Sequence, residues 1–150
     1  MTHTDAQTRA IATSPAAEMF DRDAACQALG IEVEQVAVGR AVLRMRVTGA
    51  MVNGHGIAHG GYLFLLADAA FAYASNTHGP MALAQSAQIT FLRPAMAGEA
   101  LLAEAVERAR EGRTGMYDVT VRRPDGSVIA EFRGHSVLLS GRPKLVAVSE

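Results

Sequence analysis

The sequence predicts an α+β fold in which one long apolar helix is enclosed by an antiparallel sheet of five to six strands. Three observations carry this expectation. Between Gly61 and about Asn76, nearly every face of a helical repeat is apolar, which marks a helix surrounded by other structure. On either side of it, apolar and polar residues alternate with period two, as in half-buried strands. The connections between those runs are short, which favours antiparallel neighbours. A chain of 150 residues can bury the core of one such domain without disulfides or metals.

The elements follow in order. Residues 1–13 are polar and poor in large apolar side chains, so they are expected to form a tail ahead of a domain spanning residues 14–150. Ser14-Pro15 with Glu18 predicts a helix start, Ser14 as cap and Pro15 in the first turn, and Gly30 after Leu29 predicts its stop. Residues 31–48 then change period: Ile31, Val33, Val36 and Val38, then Ala41, Leu43, Met45 and Val47 alternate with polar residues, predicting two strands joined at Gly39-Arg40. A glycine-rich loop, residues 53–61, leads into the central helix, which is expected to end between Asn76 and Gly79. Further strands are expected over residues 82–92, stopped by Pro94, and over 101–109, 115–122 and 128–139. Pro124-Asp125-Gly126 predicts a hairpin, from the fixed φ of proline and the tolerance of glycine for positive φ.

Charge and composition narrow the partners. Fourteen Lys plus Arg stand against fifteen Asp plus Glu, so no broad field draws the chain to nucleic acid or an anionic membrane. An anionic ligand must be held by a few local cations. The longest apolar run, residues 62–74, is interrupted by Asp68 and is too short to span a bilayer. The N-terminal residues lack the apolar stretch of a secretory signal, and the single cysteine, Cys26, has no partner for an internal disulfide. A cytoplasmic location is expected.

Asp68 is the most informative residue. It sits in the middle of an apolar helix, where aspartate has poor propensity and where an unpaired buried carboxylate costs several kcal/mol. It must serve either as structural glue, bonded to backbone or an arginine, or as a functional acid. The loop before it favours function. Gly60 and Gly61 open the helix and leave unpaired N–H groups at the positive end of its dipole, a place suited to an anion or a developing oxyanion.

Other chemistries fit poorly. Gly54, Gly56 and Gly60 are spaced GxGxxxG, which is not a dinucleotide fingerprint, and no Lys-Ser/Thr follows to make a phosphate loop. No GxSxG elbow occurs, and Cys26 has no acid-base partner nearby in sequence. His55 and His59 would share a face only on a helix, which the surrounding glycines oppose, so neither metal nor cofactor is expected.

Taken together, Asn53-Gly54-His55 through His59-Gly60-Gly61, then Leu66-Ala67-Asp68-Ala69-Ala70-Phe71-Ala72, with Phe91-Leu92-Arg93-Pro94 and Phe132-Arg133-Gly134-His135 downstream, closely resemble the PaaI subfamily of hot-dog thioesterases. That subfamily is named for phenylacetic acid degradation, and the resemblance covers nearly everything after the tail. It implies a hot-dog fold and a homodimer, assembling to a homotetramer, with sites at the dimer interface. It further implies that the Gly60 N–H meets the thioester carbonyl, that Asp68 is nucleophile or general base, and that Asn53 and His59 position water or substrate. Gly61, Arg93, Arg133 and His135 become candidate contacts to the acyl-CoA substrate. One departure is Ala72, where related aryl-CoA thioesterases outside the subfamily often carry a hydroxyl; Asp68 must then be oriented by Asn53 or Ser75, or by nothing local.

The implied reaction is hydrolysis of an acyl-CoA thioester, of phenylacetyl or hydroxyphenylacetyl type, to free acid and CoA. Asp68 either attacks the carbonyl to form a mixed anhydride or deprotonates the attacking water. A hot-dog dehydratase or hydratase is one alternative, and a non-catalytic acyl-CoA-binding regulator is another. The order His59, glycines, then Asp68 favours hydrolysis, and a pure binder gains nothing from a carboxylate beside a thioester. Gly60 and Asp68 lie eight residues apart, about 12 Å along one helix, so both can serve one carbonyl only if two chains share each site.

Overall fold

The computed structural model describes residues 15–140; the expected tail, the Ser14 cap and residues 141–150 lie outside the described residues. The first predicted helix is in fact two, α1 (Pro15–Arg22) and α2 (Ala24–Ala28). Asp23 divides them, because its Oδ1 accepts the Cys26 N–H at 3.0 Å and so caps a new start. Its Oδ2 accepts from the Tyr73 hydroxyl at 3.2 Å, tying this layer to the central helix.

The strands are β1 (Glu32–Ala37), β2 (Arg40–Arg46), β3 (Ala82–Phe91), β4 (Ala100–Glu111), β5 (Thr114–Arg122) and β6 (Val128–Leu138). A 3-10 turn covers Gly49–Met51, and the central helix α3 runs Gly60–Ser75. All six strands join one antiparallel sheet in the order β1-β2-β4-β5-β6-β3. The predicted turns hold: Gly39 has φ 70° and Gly126 has φ 91°. The fold is the hot-dog expected from the sequence, a sheet curved around one helix.

The core lies between α3 and the concave face of the sheet. Leu63, Leu66, Ala67, Ala70, Phe71 and Ala74 are buried there with Leu43, Met45, Leu101, Val119 and Phe132. Phe71 is central, with ring centroids 5.4 Å from Tyr117 and 5.9 Å from Phe132. Strand β6 can pass this ring only as glycine, since a Cβ on Gly134 would stand 2.8 Å from it.

The convex face carries the charges. Glu104 pairs with Arg40 and Arg122, and Asp118 with Arg108 and Arg133, across neighbouring strands. Strand β3 differs from every other strand. It occupies a sheet edge, bears no charge, and is exposed at eight of its ten positions, losing the in-out alternation seen in β4, β5 and β6.

Candidate active site

The loop before α3 is built by Asn53. Its side-chain oxygen accepts the N–H groups of His55 at 2.9 Å and Ile57 at 3.4 Å, while Gly56 turns the chain with φ 76°. Ala58 N–H then bonds to Ala95 O and His59 N–H to Met51 O, both at 2.8 Å, so the loop is pinned on two sides. His59 is the N-cap of α3, extended at φ −58°, ψ 137°, and its exposed side chain makes no capping bond. Among the described residues, the N–H groups of Gly60 and Gly61 donate to nothing. Two free donors at the positive end of a 16-residue helix are therefore aimed outward.

The Gly60 donor opens on a cleft of about 510 Å³ lined by Asn53, Gly60, Leu63, Phe91, Arg93 and Pro94 among others. Its far wall is held rigidly. Leu92 and Arg93 N–H both bond to Ile129 O, and the Arg93 guanidinium donates to Val128 O at 2.6 Å. Arg123 braces the same wall, donating to Pro94 O at 2.7 Å and to Glu99 Oε1 at 3.1 Å. The cleft thus combines apolar walls, the free Gly60 N–H and one cation, a setting for a polar anionic group attached to an apolar one.

Asp68 does not line this cleft. It lies on a flank of α3 with Gly61, Phe64, Leu65 and Ala72, at helical spacing, which is only partly covered. Among the described residues it has no hydrogen bond and no ion pair. Burial alone raises its pKa, so the free carboxylate is held in a state more basic than an ordinary aspartate. Neither residue expected to orient it does so: the Asn53 oxygen is committed to its own turn, and Ser75 Oγ donates to Ala72 O at 3.2 Å. That leaves an accessible base without a local partner.

The remaining predicted residues divide. Asn53, Gly60 and Arg93 come together in the cleft, with His59 and Gly61 beside it at the start of the helix. Arg133 and His135 do not, because Phe132 and Gly134 face α3 and their neighbours on β6 therefore point outward. Arg133 is bonded to both oxygens of Asp118, at 2.6 and 2.9 Å, and His135 lies 3.4 Å from Ser86 Oγ. Cys26 is buried; burial, with Asp23 and Asp68 nearby, pushes its thiol up to about 12, so it holds no thiolate at neutral pH. Among the described residues no three His, Cys, Asp or Glu side chains converge as a metal site, and no helix is long and apolar enough to cross a membrane.

Sequence reasoning missed the Arg123–Glu99 brace and the place of Phe91 on the cleft. The brace joins residues 24 positions apart and has no local signature. Phe91 had one: an apolar pair, Phe91-Leu92, continues where β3 ends and alternation would ask for a polar residue.

The family model for the thioesterase superfamily matches residues 55–130, the stretch from the loop through α3 to the start of β6. The acyl-coenzyme A thioesterase PaaI of Escherichia coli (strain K12) is 45% identical over 123 residues, 82% of this chain and 88% of that one. The structure of the E. coli PaaI protein from the phenylacetic acid degradation operon is similar with TM-score 0.82 and 44% identity, covering 84% of this chain and 91% of that one. A mutant of the phenylacetic acid degradation protein PaaI from Thermus thermophilus is similar with TM-score 0.73 and 43% identity, covering 76% of this chain and 97% of that one.

Proposed function

The chain belongs to the thioesterase superfamily and is a PaaI-type acyl-CoA thioesterase, and on that premise we propose that it hydrolyses arylacetyl-CoA thioesters in active sites shared between two chains. The carrying observation is that Gly60 lines the cleft and Asp68 does not, though both stand on α3. In one chain they are separated by about 12 Å along the axis and cannot touch the same carbonyl.

A two-fold dimer with antiparallel α3 helices resolves this twice over, bringing Asp68 of each chain to Gly60 of the other. Two incompletely covered surfaces support it. Edge strand β3 and its continuation expose Met81, Leu83, Phe91 and Leu92 at 43 to 52%, an apolar uncharged edge that soluble proteins normally cover. The Asp68 flank of α3 is only partly covered. A homodimer pairing these surfaces, assembling further to a homotetramer, is the state we assign.

In the complete site the Gly60 N–H and the helix dipole polarise the thioester carbonyl. Asp68, free of local partners and made more basic by burial, takes the proton of water or attacks the carbon directly. In this reading the Asn53 amide nitrogen and the exposed His59 hold water or the leaving sulfur, and Gly61 and Arg93 hold the substrate. Arg133 and His135 could meet the CoA phosphates only through the convex face. Phenylacetyl and hydroxyphenylacetyl groups suit the apolar wall of Leu63, Phe91 and Leu92 and follow the names of the relatives. An acyl-CoA substrate and an unpaired cysteine fit a cytoplasmic location.

Chain mixing tests the shared site. Gly60→Pro removes the N–H and Asp68→Asn the carboxylate, so each pure oligomer should be nearly inactive. Equimolar co-refolding should restore about a quarter of wild-type thiol release, because half the dimers are mixed and each has one intact site. No recovery, with mixed dimers shown to form, would rule out sharing. Free-thiol release from a panel of acyl-CoAs decides the substrate; a preference for straight aliphatic chains over arylacetyl groups would refute that part.

A further inference from the structure

Gly60 and Phe91 meet across the cleft. A Cβ built on Gly60 would lie 2.6 Å from Phe91 Cζ and 3.0 and 3.1 Å from its two Cε atoms, so the tip of the ring rests on the glycine. The backbone does not ask for glycine there, since Gly60 is absent from the positive-φ positions and stands in the first turn of a helix. The next residue makes the contrast: a Cβ on Gly61 would meet nothing within 4 Å. Core packing does not explain the ring either, because Phe91 is 50% exposed at the end of an edge strand.

We propose that Phe91 is a positioning residue for the hydrolysis: its ring excludes water from the Gly60 N–H, and Gly60 is held free of a side chain so that the ring can sit there. This rests on the reading of Gly60 as the donor to the thioester carbonyl. A backbone donor shielded from water bonds more strongly to an oxygen that gains charge, and bulk water cannot compete for it as the carbonyl becomes tetrahedral. The ring also presents an apolar face where the acyl chain extends from the carbonyl. The effect belongs mainly to kcat, because the donor matters most where charge develops.

A double-mutant cycle with a third arm tests this. Phe91→Ala, with the oligomer shown intact by gel filtration, should lower kcat by about tenfold with a smaller rise in KM from the lost acyl-wall contact, and without a matching loss in melting temperature. In the wild-type background Gly60→Ala drives the ring off and should lower kcat by up to about a hundredfold, the scale of an active-site displacement of about 1 Å. In the Phe91→Ala background the added methyl has room, and its cost should shrink to a few fold. Equal costs in both backgrounds, or normal kcat in Phe91→Ala, would overturn the proposal. Should Phe91→Ala fold poorly, Phe91→Leu, which lacks the reach of Cζ, carries the same cycle.

The third arm is Gly60→Pro in the Phe91→Ala background. His59 already has the extended conformation that precedes proline, and the lost N–H serves no bond among the described residues, so the fold should survive. If this variant matches Gly60→Ala in that background, the Gly60 donor reading itself fails. If it is inactive while Gly60→Ala costs the same in both backgrounds, the donor stands and only the role of Phe91 falls.

Discussion

The two ends of α3 are built to opposite rules. At its C-terminal end the carbonyls of Ala72 and Ala74 and the segments beside them are tied by side chains. The Asn76 side chain donates to Ala72 O and Ala82 O and accepts from Ala82 N–H, at 2.9 to 3.0 Å. Thr77 Oγ1 donates to Ala74 O and accepts the Gly39 N–H, both at 2.8 Å. His78 and the Tyr117 hydroxyl converge on Glu107 at 2.6 and 2.7 Å. The N-terminal end has an N-cap residue that makes no capping bond and two glycine donors without acceptors among the described residues. The difference separates tasks within one helix: the closed end fixes its position, and on the proposed reading the open end keeps donors available for a substrate. Asp68, unpaired midway, belongs with the open end.

The largest effect expected from this contrast is at Asp68. Asp68→Asn should lower turnover by about 10² to 10⁴, the range for loss of a general base, while the protein stays folded. Its stability should rise at neutral pH. The folded pKa is raised by burial, so between the unfolded and folded values the native state holds the extra proton, and wild-type stability falls as pH rises through that window. The variant escapes this cost, and its advantage should vanish once acid protonates Asp68 in both states. Thermal melts from acid to neutral pH, set beside thiol release, check it; a variant less stable than wild type at neutral pH would make Asp68 a structural residue.

Asn76→Ala should produce the reverse pattern. It removes the side-chain partners of the Ala82 N–H and C=O, while Ala72 O keeps the Asn76 N–H and Ser75 Oγ, and should cost about 1–3 kcal/mol, with turnover per folded molecule within about twofold of wild type. A turnover loss larger than the unfolded fraction explains would show that the closed end also shapes the site.

A smaller effect is expected at Glu107. Burial pushes its pKa up, but the Tyr117 hydroxyl and His78 outweigh burial and leave it lowered. Its contribution to stability is then present above the unfolded value and lost as pH falls through the folded one. Glu107→Gln should therefore flatten the acid side of the melting-temperature profile. An unchanged acid slope would place the acid sensitivity elsewhere.

The mildest expectation concerns the acid limb of activity. On the proposed mechanism Asp68 acts as the ionised carboxylate, so activity should fall on acidification around a midpoint above that of an ordinary aspartate. A midpoint at or below the ordinary value would mean that the partner chain supplies a cation or donor to this carboxylate.

Much of this protein is set by local sequence. The apolar residues of α3, the period-two runs and the glycine and proline turns specify helix, strands and reversals because each depends on a few neighbours along the chain. Asp68 stood out for the same reason, a carboxylate breaking an apolar helix, and it is unpaired among the described residues. Even the outward aim of Arg133 and His135 was written in their alternation with Phe132 and Gly134, although family resemblance suggested CoA contacts for them. Tertiary structure decided the rest. It split the first helix at Asp23, whose two oxygens serve Cys26 and Tyr73, the second of them 50 residues away. It seated Phe91 on Gly60, set Arg123 behind Pro94, and left β3 bare by ordering the strands so that β3 pairs only with β6. Each of these depends on which strand lies beside which, and periodicity, being local, carries no information about pairing between residues distant in sequence.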